Sequence, residues 1–126
     1  MNIYVLGNEL VGNDSLPIKL LPKLKKRFPK INFIRVDPNE NFPPANEKNL
    51  IILDTVFGIE KPVLLNLEDF ERQKKTPISP HDYDLLFHLL LLKKMKRLNK
   101  VIIIGIPPKE EEKTLSSLNK IIASLL

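Results

Sequence analysis

Short apolar runs alternating with stretches of helical periodicity constrain this chain more than any other feature. Residues 2–7 (NIYVLG) form a run that ends in glycine and reads as a buried strand. After a loop over residues 8–15, Leu16, Leu20, Leu21, Leu24 and Phe28 recur at helical spacing. Pro17 suits a first turn, whereas Pro22 implies a kink or a late start. Residues 31–36 (INFIRV) read as a second strand, and residues 50–53, closing on Asp54, as a third.

Residues 62–67 (PVLLNL) read as a fourth strand. The connection from the third is too short for a parallel crossover helix, so this strand is expected to be antiparallel and at an edge. Ser79-Pro80-His81-Asp82 has the form of a helix start, with Ser79 as N-cap, Pro80 at the first position and Asp82 completing an S-x-x-D box. The helix it opens, to about Arg97, is apolar nearly all round and is expected to be well buried. Residues 101–105 (VIIIG) give the fifth strand, and Leu115, Leu118, Ile121, Ile122 and Leu125 the stripe of a last helix. The expected fold is a three-layer α/β/α sandwich, a five-stranded mostly parallel sheet with one antiparallel edge strand. One domain over residues 1–126 is expected, since single cores run to about 100–200 residues.

Hydrophobic residues make up 43 % of the chain and charged residues 28 %, which excludes a disordered polar chain. No signal-like segment or membrane-length apolar run occurs, so a cytoplasmic location and no membrane partner are expected. The absence of cysteine excludes disulfides, iron–sulfur ligation and thiol catalysis. The net charge of +5 raises nucleic acid as a partner. The cations, however, cluster at Lys23, Lys25, Lys26, Arg27 and Lys30, and again at Lys93, Lys94, Lys96 and Arg97. Both sets sit at expected helix ends, where they complement the dipole. No nucleic-acid partner is therefore expected.

In such sheets ligands bind beyond the carboxyl ends of the strands. Asp14 lies in the loop leaving the first strand, Asp54 closes the third, and His81 opens the helix before the fifth. Two carboxylates and an imidazole on one edge suit a borderline divalent ion. The helix start disfavours the imidazolium, keeping His81 neutral as a ligand, and Asp84 is placed to orient the ring. Each has a structural reading as well: Asp14 as a helix cap, His81 as a solvated first-turn group. His88 is expected to be a core or boundary residue and not a ligand. Asp37 and Glu40 are expected in a solvated loop.

These residues carry a family resemblance. Val5-Leu6-Gly7-Asn8-Glu9-Leu10-Val11-Gly12-Asn13-Asp14 resembles the opening of hydrogenase maturation endopeptidases, a strand, then Gly-Asn, then an acidic residue. Leu53-Asp54-Thr55-Val56 is similar to the family's D-A-V-like strand end, and Ser79-Pro80-His81 to its serine–histidine helix start. Ile104-Gly105-Ile106-Pro107-Pro108 resembles its I-G-I-x-P ending, with Leu115-Ser116 in place of an L-S pair in the last helix. The resemblance implies a metal-dependent endopeptidase of aspartyl type that removes the C-terminal extension of a nickel-containing hydrogenase large-subunit precursor after nickel insertion. Asp14, Asp54 and His81 would contact that nickel, which arrives with the substrate, and Asp14 and Asp54 would be catalytic. The implied partner is the hydrogenase precursor, and a monomer is expected.

Asn13-Asp14-Ser15-Leu16-Pro17 departs from the family's usual adjacent acidic pair and G-x-G, lacking one carboxylate and both glycines. Asp37-Pro38-Asn39-Glu40-Asn41 stands where a glycine-rich loop is usual, which implies a divergent hydrogenase partner. The Lys, Ile and Pro usage is archaeal-like. Two other classes stay open. One is a receiver-like signalling domain phosphorylated at Asp54, with Glu9 alone where an acidic pair is needed and Lys109 late. The other is a non-catalytic protein that checks a partner for nickel.

Overall fold

A computed structural model describes residues 1–7, 12, 15–37, 42–72 and 82–126, with backbone alone for residues 70–72 and 82–86. Its elements are β1 (Asn2–Val5), α1 (Leu16–Arg27), β2 (Asn32–Arg35), β3 (Asn49–Thr55), β4 (Val63–Asn66), α2 (Leu67–Arg72), α3 (Asp82–Lys94), β5 (Lys100–Ile106) and α4 (Glu111–Leu125). The strands form one sheet in the order β2-β1-β3-β5-β4. β1, β2, β3 and β5 are parallel, and β4 pairs antiparallel with β5 at the edge, as the short β3–β4 connection requires.

Side chains alternate across each strand, so the sheet divides its apolar residues between two clusters. Ile3, Val5, Leu53, Ile104 and Ile106 pack with Leu20 and Leu24 of α1 and Leu118 and Ile122 of α4. Tyr4, Leu6, Leu50, Ile52 and Ile103 pack on the other face with Leu67 of α2 and Leu89 of α3. The sheet is therefore covered on both sides, which gives the three-layer α/β fold.

Helix α1 runs unbroken through Pro22. The proline leaves the carbonyl four residues earlier without its helical donor. Burial of Leu16, Leu20, Leu21 and Leu24 on one stripe outweighs that loss. Lys25, Lys26 and Arg27 occupy its last turn, as expected from the dipole.

Leu67, expected to close the fourth strand, and residues 68–72, in the connection after it, instead form α2. Asn66 stands at its N-cap, and the Asn66 N–H donates to Asp69 Oδ2 at 2.7 Å, one half of a capping box. Helix α3 ends at Lys94, short of the expected Arg97. Lys96 takes a left-handed φ of 63°, while the N–H groups of Lys96 and Arg97 return to the carbonyls of Lys93 and Leu92. That pattern is a Schellman motif with lysine where glycine is usual. The expected burial of this helix is corrected. Leu89 is enclosed, but Phe87 is 70 % exposed and Leu91 and Met95 about half exposed. A helix apolar on every side presents only one side to a sheet. Among the described residues no helix is long and apolar enough to cross a membrane.

Candidate active site

The carboxyl ends of β1, β3 and β5 lie side by side. Leu6 N–H donates to Leu53 O at 2.9 Å, and Val56 N–H to Ile106 O at 2.9 Å, which extends the ladders past the strand ends. Asp54 is the penultimate residue of β3, not its terminus, and is 3 % exposed. A carboxylate that ends an apolar run ordinarily resists burial. Strand pairing overrides this, because Asp54 lies in register with Gly105 of β5 and the ladder continues through Thr55.

Alternation with Leu50 and Ile52 places Asp54 on the α2/α3 face of the sheet. Its Oδ1 accepts the Thr55 backbone N–H at 2.8 Å, which fixes one carboxylate oxygen. An ionised group so enclosed costs several kcal/mol unless its oxygens are satisfied.

Gly105 keeps the neighbouring position of the same face free of a side chain. A Cβ there would stand 2.8 Å from Val56 Cγ2 and 3.5 Å from Leu65 Cδ1. Val56, fully buried, therefore folds over Gly105 beside the carboxylate. Strand periodicity does not disclose this close approach. The only hint was the glycine itself, ending a run of isoleucines.

Helix α3 leads into β5 at the opposite edge, where Asn99 N–H donates to Lys48 O at 2.7 Å just before β3. Thirteen residues at about 1.5 Å each span about 20 Å, so the backbone of Asp82 lies toward the carboxyl edge. Asp14, His81, Ser79 and Glu40 lie outside the described residues, and so does the side chain of Asp84. Of the three expected metal contacts Asp54 alone has a described position. Among the described residues no three His, Asp or Glu side chains gather as a metal-ligating group. Asp37 is exposed, as expected of a solvated loop. His88 is exposed too, which corrects the expectation of a core or boundary histidine.

Among the described residues two cavities flank the sheet. One, of about 580 Å³, lies at the amino edge between Phe42, Pro44, Glu47, His88, Arg97 and Leu98. Glu47 accepts hydrogen bonds there from Tyr4 Oη and from Asn2 Nδ2. Burial and the facing Glu47 carboxylate push the Tyr4 hydroxyl up to about 12. The other cavity, of about 760 Å³, opens at the carboxyl edge between the loops that follow β3 and β5. Pro62, Pro107, Lys109, Glu110 and Lys113 line it.

The receiver-like alternative does not survive the topology. Only seven residues join β3 to β4, and β4 is antiparallel at the edge, where a receiver places a helix and a further parallel strand. The model of the HycI family, hydrogenase maturation protease, matches residues 39–125, more than two thirds of the chain. That span contains Asp54 and position 81, and Asp14 precedes it. No curated protein and no solved structure matches the chain. The matched span holds β3, the antiparallel β4, α3, β5 and α4 in one order with the buried Asp54 at their common edge, and the chain belongs to the hydrogenase maturation protease family.

Proposed function

We propose that the chain is an endopeptidase that removes the C-terminal extension of a nickel-containing hydrogenase large-subunit precursor once nickel has been inserted. The observation that carries this reading is Asp54, a nearly buried carboxylate at the carboxyl end of a central parallel strand within the span that matches the family. Asp14 and His81 join it as the groups that contact the nickel borne by the substrate. What supports this is chain order: Asp14 follows β1 and His81 immediately precedes α3 in the sequence.

In this reading the substrate's nickel polarises the scissile carbonyl, and Asp14 or Asp54 takes a proton from the attacking water. The water oxygen bonds to the carbonyl carbon, the C–N bond breaks, and the departing amine receives the proton. The test is incubation of the protein with nickel-loaded and nickel-free precursor, reading the product mass. Loss of the extension from the loaded precursor alone is the expected result. Binding without cleavage would favour the nickel-checkpoint reading, and neither binding nor cleavage would overturn both.

A further inference from the structure

The two edges of the sheet differ in how they are guarded. An edge strand offers a row of outward N–H and C=O groups to any extended chain, and proteins blunt it with charge, proline or cover. β2, at one edge, carries Arg35 within the strand. β4, at the other, reads Val63-Leu64-Leu65-Asn66, with no charge and no proline. Among the described residues its outer side pairs with nothing, and Leu64 is 45 % exposed.

This edge, uncovered among the described residues, also lies beside the candidate site. Asp54, Gly105 and Val63 are register partners across β3, β5 and β4, so they form one row of the sheet at its carboxyl end. Pro62, directly before β4, lines the cavity of about 760 Å³ at that end. An added strand antiparallel to β4 would run toward this end. At about 4.8 Å per strand it would lie about 14 Å from β3, a distance that four or five extended residues cover.

We infer that the outer edge of β4 docks an extended segment of the substrate polypeptide, which joins the sheet as a sixth strand and delivers the scissile bond toward Asp54. This rests on the endopeptidase reading for the identity of the substrate. Main-chain pairing supplies affinity with little demand on sequence, and Leu64 supplies an apolar contact for alternate side chains of the segment. The occupant is a polypeptide because the family's activity is proteolysis.

The test uses the intact chain with the nickel-loaded precursor at saturating concentration. Amide hydrogen exchange over residues 63–66 is expected to slow by at least about tenfold when precursor is present. In steady-state processing, Leu64→Lys is expected to raise KM about tenfold. The same change at the opposite edge, Ile34→Lys, is expected to leave KM as it was. If Leu64→Lys lowers the melting temperature, Leu64→Ala, which removes contact area without adding charge, replaces it in the comparison. Unchanged exchange over residues 63–66 while cleavage proceeds would overturn the docking site and leave the endopeptidase reading standing. Slowed exchange without cleavage would do the reverse. Residues 63–66 already protected in the free protein, with a dimeric mass that Leu64→Lys reduces to a monomer, would give the edge to a second copy and also overturn the proposal.

Discussion

The two faces of the sheet are built from similar residues to different ends. On the α1/α4 face each helix presents a single apolar stripe, and the enclosed side chains are mostly hydrocarbon, with Thr55 and Thr114 among the polar exceptions. On the α2/α3 face the sheet contributes Asp54, Tyr4 hydrogen-bonded to Glu47, and the side-chain-free Gly105. Its helix α3 leaves Phe87 and Leu91 exposed although it is the more apolar helix. The difference teaches that hydrophobic content does not locate the core; the periodicity of that content does. One face is nearly all hydrocarbon, and the other encloses polar groups as well, Asp54 toward the carboxyl edge and Tyr4 with Glu47 toward the amino edge.

The comparison breaks first on core truncations. Leu118→Ala on α4 removes a fully buried side chain and is expected to cost about 3 kcal/mol. Leu91→Ala on α3 is expected to change stability by less than about 0.5 kcal/mol. Equal losses in denaturant unfolding would mean that α3 is covered on its outer side and that the two faces are alike.

A smaller effect sharpens the contrast through pH. The Tyr4 hydroxyl is raised from 10.0 to about 12 in the folded chain, so the protonated phenol is favoured by folding. That contribution is fully present below pH 10 and is lost as pH rises from there through about 12. Tyr4→Phe is expected to cost about 1.5 kcal/mol at neutral pH, since the lost bond has a charged acceptor, and to flatten this alkaline decline. Unfolding curves across that pH range check both.

The smallest effect belongs to the other face. Thr55 Oγ1 is fully enclosed and has no hydrogen-bond partner among the described residues. Thr55→Val is therefore expected to be neutral or stabilising by up to about 1 kcal/mol. A clear loss of stability would show that the hydroxyl is satisfied and that this face, too, carries a polar network.

Much of the architecture was legible in the chain. The seven-residue connection before Val63 dictated an antiparallel strand, and the alternation of runs and stripes dictated the layers. Helix α2 was legible too, in Asn66 and Asp69 three residues apart, but the apolar Leu67 read as a continuation of the strand. Two features were not legible because they depend on pairing and not on local pattern. Asp54 is drawn inside the strand by its register with β5, and Gly105 is required by the approach of Val56. The burial expected of α3 failed because nothing in a uniformly apolar helix tells its inner side from its outer one. At the site, Asp54 stands at the edge expected of it, while Asp14 and His81 fall outside the described residues.

The central claim is that Asp54 is enclosed for chemistry and not for stability, and Asp54→Asn tests it most directly. The amide keeps an oxygen that can accept the Thr55 N–H but gives up the charge. The predicted result is loss of precursor processing, read by product mass, with a melting temperature shifted by less than about 4 °C. Processing that persists in the variant, or a loss of processing accompanied by a collapsed melting transition, would contradict the account.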